Sequence, residues 1–182
     1  SENDFKNIKK IFENAKKGDK EAFSEIYEAY FKPLYRYAYL RIGNKAESDD
    51  LAQDIFIKAF NSAKELIPQN PSLIIHFYDV ARKSVSDWKR KRRRNISFDE
   101  SMDNYSDAKT DKMEENLKRE ELDNLREAMR ELSDEQQDAV IFKFFGNLSN
   151  EDIGTILGIS ARSARRLEAQ GLILVRDILK KQ

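Results

Sequence analysis

The chain contains no cysteine and a single histidine, His76. Without cysteine there is no disulfide framework, no thiolate nucleophile and no Cys-based zinc site. One histidine leaves no second imidazole for a His-rich metal centre or a proton relay. Glycine and proline are also scarce, at six and three residues in 182, and so few breakers imply long helices. No window alternates apolar and polar residues, so no strands are expected. No apolar run approaches the roughly 18 residues of a membrane span. The opening residues, Ser1-Glu2-Asn3-Asp4-Phe5, lack the basic-then-apolar order of a secretory signal, which favours a cytoplasmic place of action. Net charge is missing as well, since 33 Lys+Arg balance 33 Asp+Glu.

What is present is helical pattern and segregated charge. The apolar fraction is 40%, the mean hydropathy is −0.77, and 19 residues are aromatic. That is lean for one large core but sufficient for one medium or two small helical domains. The zero charge conceals a run of six cations, Lys89-Arg90-Lys91-Arg92-Arg93-Arg94. From Asn95 to Leu122 nine acids face four bases, a net of −5. Cations gathered in one place suit a polyanion; merely solvated cations or a membrane-surface patch would use the same residues.

Helical spacing begins with Ile8, Ile11, Phe12 and Ala15, and stops near Gly18. Asp19 can cap the next helix, which carries Ala22, Phe23, Ile26, Tyr27 and Tyr30. Pro33 is expected to kink or restart that helix before Leu34, Tyr37 and Ala38 carry it to Gly43. Between about Lys45 and Leu66, Leu51, Ala52, Ile55, Phe56, Ala59 and Ala63 form an apolar face. At about 100° per residue, Asp50, Gln53, Asp54 and Ile57 fall on the opposite face. Acids around an exposed isoleucine have the make-up of a partner surface, although a solvated face with one stray apolar residue reads the same way. A hard cation at Asp49, Asp50 and Asp54 is disfavoured, because no Gly-containing loop of oxygen ligands accompanies them.

Pro68-Gln69-Asn70-Pro71-Ser72 marks a break. The following helix turns Leu73, Ile74, Phe77, Ala81, Val85 and Trp88 toward a core and presents His76, Asp79, Lys83, Ser86 and Arg90. Asn95 to Thr110 reads as a linker. Helical pattern returns with Leu122, Leu125, Ala128, Met129 and Leu132. Ser133-Asp134-Glu135-Gln136 has the form of a capping box opening a helix through Val140, Ile141, Phe144 and Phe145. Ser149-Asn150-Glu151-Asp152 is a second cap. Ile153, Ile156 and Leu157 follow, then the turn Gly158-Ile159-Ser160, and Ser160 caps a last helix. That helix is expected to bury Ala164, Leu167 and Leu172 and to present Arg162, Ser163, Arg165 and Arg166. Gly154 falls where the two helices approach most closely, and Gly171 implies tight packing or early fraying. Helix, tiny residue, turn and helix in register describe a helix-turn-helix. The first turn of its second helix would enter the major groove, with arginine reaching guanine edges. An ordinary αα-hairpin in a structural bundle is the bland alternative.

Two segments together resemble the extracytoplasmic function group of bacterial RNA polymerase sigma factors. Glu21-Ala22-Phe23, Tyr27, Tyr30, Pro33-Leu34-Tyr35, Asp50-Leu51-Ala52-Gln53-Asp54-Ile55-Phe56 and Val80-Ala81-Arg82 look like the family's sigma-2 domain. Leu132-Ser133 through Leu148-Ser149-Asn150-Glu151-Asp152-Ile153 and Leu157-Gly158-Ile159-Ser160 look like sigma-4. The resemblance implies an all-α chain in two small helical domains, 1–94 and 120–182, joined by a flexible acidic linker, 95–119. It implies a transcription initiation factor that is not an enzyme and needs no cofactor or metal. Asp50, Gln53, Asp54 and Ile57 would dock on the clamp helices of polymerase β′, and the second domain would meet the β flap. Asn70, Ser72, His76, Asp79, Lys83, Ser86 and Arg90 would read and open the −10 element, and Ser160, Arg162, Ser163, Arg165 and Arg166 would read the −35 element. An anti-sigma partner is implied in the same way. The family often has tryptophan at His76, asparagine at Lys83, alanine at Gly154 and arginine at Gln137, so no promoter sequence transfers. A helix-turn-helix regulator that never joins polymerase, or a helical protein-interaction module, would share much of this pattern.

Overall fold

In the computed structural model, residues 2–63, 73–96 and 119–181 are described. They form eight α-helices, with no strand among the described residues. The order is α1 (Glu2–Lys16), α2 (Lys20–Ile42), α3 (Lys45–Ser62), α4 (Leu73–Ile96), α5 (Arg119–Met129), α6 (Asp134–Phe144), α7 (Asn150–Leu157) and α8 (Ala161–Lys180).

Local chemistry sets most boundaries. Asp19 accepts from the Glu21 and Ala22 amides at 3.0 and 3.2 Å, supplying two of the N–H partners that the start of α2 lacks. Gly43 closes α2 in the left-handed region at φ 76°, with its N–H on Tyr39 O. Asn44 caps α3 in the very next position. Ser133 and Gln136 form the complete reciprocal capping box at α6. Of the two outcomes expected at Pro33, a kink or a restart, the restart does not occur: α2 runs unbroken through it. An interior proline costs about 3 kcal/mol. Buried Phe31, Leu34, Tyr35, Tyr37 and Ala38 surround it, and burying each large side chain contributes about 1.5–3 kcal/mol.

Helices α1 to α4 gather around an aromatic core. Tyr27 stacks on Phe31 and Tyr30 on Phe77, while Phe56 lies tilted against Phe77 at 5.7 Å. Helices α5 to α8 enclose Met129, Ile141, Ile153, Ala164 and Val175. The two halves also share apolar contact. Phe142 of α6 stacks on Tyr37 at 5.4 Å and lies against Tyr78 at 5.0 Å, and all three are fully buried. Tyr78 lies outside the core face read from the spacing of α4, because that face anticipates only the neighbours of the first half.

Two apolar residues of the second half are found where the periodicity does not put them. Leu172 is 43% exposed and Phe144 52% exposed. The inward stripe of α8 runs through Ala164, Gly171 and Val175, and Leu172 lies about 100° round from Gly171. Gly171 sits mid-helix because α6 crosses it closely: a Cβ there would come within 2.6 Å of Val140 Cγ2. Gly171→Val should therefore lower stability by about 1–3 kcal/mol through overpacking, read as a lower urea midpoint with unchanged m-value.

Candidate nucleic-acid and partner surfaces

The exposed face of α3 is built by its opposite side. Ala52, Ile55, Phe56 and Ala59 are buried, which turns Asp50, Gln53, Asp54 and Ile57 outward, Ile57 with 56% of its surface exposed. Gln53 donates to Asp49 Oδ2 at 2.9 Å, one turn back on the helix. Carboxylates thus flank a bare isoleucine on a rigid rod, a surface suited to a basic partner with an apolar recess.

Helix α4 has two working faces besides its core face. Asp79, Lys83, Ser86 and Arg90 share an arc that is exposed or half-exposed. Lys83 bonds Asp79 at 2.8 Å and Arg90 bonds Asp87 at 2.8 Å. His76 has turned inward: its Nε2 lies 2.9 Å from Ser62 Oγ and 3.2 Å from Ala59 O, at the C-terminal end of α3. Burial holds its pKa below the usual histidine value. Asn70 and Ser72 lie outside the described residues.

The helix-turn-helix forms as its spacing requires. Ser149 Oγ accepts from Asp152 N–H at 3.1 Å, and Gly158 takes φ 70° to end α7. Gly154 is held against the turn, where a Cβ would lie 2.6 Å from Ile159 O. Ser160 Oγ accepts from Ser163 N–H at 3.1 Å and caps α8. The first two turns of α8 then leave Arg162, Arg165 and Arg166 exposed on one face, with Ser163 beside them. Arginines at the open end of a capped helix, above a fixed turn, can reach both phosphates and base edges.

A polar network that sequence reasoning missed joins the two halves. Asp138 of α6 is 3% exposed and receives Tyr37 Oη at 2.7 Å, Arg41 Nε at 2.9 Å and Arg82 Nε at 3.4 Å. Arg41, equally buried, also donates to Gln137 Oε1 at 2.6 Å and Asp134 Oδ1 at 3.0 Å. Lys89 reaches the same Asp134 oxygen at 2.8 Å. Gln137 in turn donates to Met129 O and Leu132 O. An arginine at position 137 would face Arg41, so glutamine fits this interface. Burial raises the Asp138 carboxyl pKa, against the pull of Arg41, Tyr37 and Arg82. Burial by itself would lower the Arg41 guanidinium pKa, but Asp138, Tyr37 and Asp134 more than reverse that. The bond from Lys89, with Arg41 nearby, draws Asp134 down to about 2. The sequence signal for the network was slight: Asp134 and Asp138 one helical turn apart, and Arg41 at the end of an otherwise apolar run.

Described residues that are all helical or in short turns, a helix-turn-helix bearing three exposed arginines, and an acidic outward face on a separate helix together have the make-up of a DNA-binding transcription protein. The family model for ECF sigma factors matches residues 5–180, and the chain belongs to that family. It is 28% identical over 184 residues to the ECF RNA polymerase sigma factor SigW of Bacillus subtilis, covering 96% of each chain. It is 27% identical over 183 residues to the ECF RNA polymerase sigma factor BldN of Streptomyces coelicolor, covering 98% of this chain and 68% of that protein. Its fold is similar to that of the sigma factor RpoE of Bartonella quintana, solved with the anti-sigma factor NepR, with a TM-score of 0.69 and 18% identity over 87% of this chain and 96% of that one. The protein is therefore a polymerase-binding, promoter-directing factor. No helix among the described residues is long and apolar enough to cross a membrane.

The depressed pKa of Asp134 sets a pH dependence of definite sign. Its ionised form is favoured in the folded chain, so its stabilising effect is complete above about pH 4 and is lost as pH falls toward 2. The residue is more than half exposed, so solvent screening limits that effect to at most about 1 kcal/mol. Wild type should exceed Asp134→Asn in urea stability by this margin at pH 5, and the gap should close near pH 2. A gap independent of pH would contradict the ionic role.

Proposed function

We propose that the chain divides its work among three surfaces. Helix α3, through Asp50, Gln53, Asp54 and Ile57, docks on the β′ clamp helices of core polymerase. Helix α4, with Asp79, Lys83, Ser86 and Arg90 and the preceding segment containing Asn70 and Ser72, reads and opens the −10 element. Lys83 and Arg90 would hold backbone phosphate there while a nontemplate base is flipped out. His76, held by Ser62 and Ala59 O, would act by fixing the angle between α3 and α4. Helix α8, through Ser160, Arg162, Ser163, Arg165 and Arg166, reads the −35 element, and the second half meets the β flap. On this reading the domains run 1–94 and 120–182, with the acidic stretch 95–119 following the RNA exit path as a nucleic-acid mimic. The factor works in the cytoplasm beside polymerase, and the polymerase performs all covalent chemistry. The RpoE relative's partner suggests an anti-sigma factor for this chain also.

One observation carries the reading: a capped α8 exposes three arginines on one face in its first two turns, within a chain that also displays an acidic, apolar-centred helix face. A regulator that works without polymerase has no use for the second surface. Asp50→Arg combined with Asp54→Arg should abolish binding to core polymerase with helical content unchanged by circular dichroism; undiminished binding would sink the docking assignment. Arg162→Ala and Arg165→Ala should each cost about 1–3 kcal/mol at promoters with an upstream element if they contact bases, or lower the salt slope by about one if they contact phosphate. Runoff transcription with purified core polymerase on genomic fragments reads both. Equal transcription with and without the upstream element would refute the role of α8.

A further inference from the structure

One charge lies in the inward stripe of α8. Ala164, Glu168, Gly171 and Val175 fall within about 60° of arc on that helix. Ala164, Gly171 and Val175 are buried, and Glu168 is half-buried among them. Asn150 opens α7 and turns its amide nitrogen toward α8, where it donates to both carboxylate oxygens of Glu168, at 3.0 and 3.2 Å. Loss of water raises the Glu168 pKa, and Lys143 of α6 and Arg165 of α8 oppose that rise. A single carboxylate is thus the point where α6, α7 and α8 meet.

An apolar side chain here would continue the stripe without the cost of taking a charge out of water. The carboxylate therefore answers a demand other than packing. Helix α7 has eight residues and is about 10 Å long. Its carboxyl end is fastened at the turn, where Ile159 N–H donates to Gly154 O at 2.9 Å. Beyond the turn, Ala164, Gly171 and Val175 offer only smooth apolar contact, which has no preferred direction. The Asn150–Glu168 contact adds a directional anchor at the other end of α7 and two turns into α8. Two such anchors fix the direction of one helix against the other. Arg165 lies about 60° round α8 from Glu168, against about 120° for Arg162 and about 160° for Arg166. Of the three exposed arginines, it alone stands beside the fixed carboxylate.

We propose that Glu168 is a positioning residue for promoter recognition. Clasped by Asn150, it sets the direction in which α8 enters the major groove and steadies Arg165 toward a base edge. This rests on the assignment of α8 to the −35 element and deepens it. A guanidinium with a fixed counter-charge one turn away loses less freedom on pairing with guanine, whose O6 and N7 accept two parallel bonds. The carboxylate also repels phosphate, which leaves Arg165 to the base while Arg162 and Arg166 meet the backbone.

The probe is a duplex of about 30 base pairs with about ten randomised positions, selected through the wild-type chain and compared with the unselected pool. Glu168→Leu should leave the urea midpoint equal or higher. It should lower the preference for the selected duplex about tenfold, the size of one arginine–guanine contact, with affinity for the pool within about twofold. Asn150→Ala should lower the preference similarly, and the double variant should lose no more than either alone, since both remove one contact. Glu168→Gln still accepts from Asn150 and should stay within about threefold of wild type. Asp177→Asn removes the same charge from an exposed site further along α8 and should leave the preference unchanged. The absence of cysteine allows spin labels at Thr155→Cys and Asp177→Cys, exposed on α7 and α8. Their distance distribution, read without DNA, should widen in Glu168→Leu. An unchanged preference in Glu168→Leu, a parallel loss of stability and of affinity for both duplexes, or an unwidened distribution would overturn the proposal. If wild type enriches no sequence, the promoter-reading role of α8 fails, while the label distances still decide the clasp.

Discussion

The buried pair of Arg41 and Asp138 is the contact on which the arrangement of the molecule depends. Each is nearly inaccessible to water, and a charge so placed is tolerated only when its hydrogen-bonding capacity is met. Asp138 is satisfied by Tyr37, Arg41 and Arg82; Arg41 by Asp138, Gln137 and Asp134. These partners come from α2, α4 and α6, so the requirement sets three helices at once. Phe142 stacks on Tyr37 in that arrangement, and α7, which follows α6 through a short turn, is brought against α4. In such a buried pair the loss of hydration offsets much of the attraction, so its presence is no measure of net stability.

Charge balance takes on a different meaning in this setting. A chain with equal numbers of acids and bases has no net charge to attract DNA. Eight of its cations lie on α4 and three in the first turns of α8, while acids stand on the outer face of α3, on α6 and, most densely, in the stretch 95–122. The acids of α3 point outward into solvent. Those of α6 neutralise cations of the same chain. Neutrality is thus the sum of surfaces with different destinations.

Legibility followed the range of the determining interaction. The caps at Asp19, Ser133, Ser149 and Ser160, and the closures at Gly43 and Gly158, are local hydrogen-bond chemistry within four residues, and they form at the expected places. The outward position of Asp50, Gln53, Asp54 and Ile57 follows from helical geometry and one strong apolar face. The exposed arginines of α8 follow likewise. Pro33 was misleading as a restart signal because a local penalty is outweighed by the burial of its α2 neighbours against other helices. Leu172 and Phe144 were misleading because apolar residues cover more of α8 and α6 than their neighbours do, and only packing selects the stripe that is buried. His76 looked like a surface residue until the end of α3 supplied its partners.

The amino-acid sequence by itself determined the eight helical segments and the helix-turn-helix, because periodicity, capping and turn chemistry act between residues close along the chain, and the resemblance of its two motif segments pointed to the family. It also determined which helix faces can be polar. Only the tertiary structure decided that a second face of α4 is covered, that Asp138 rather than any exposed acid is the pivotal carboxylate, and that the two halves close on one another. Those outcomes rest on pairs such as Tyr37 with Asp138, 101 positions apart. No local pattern encodes such a pair, since each member is an unremarkable polar residue until the fold removes water from both.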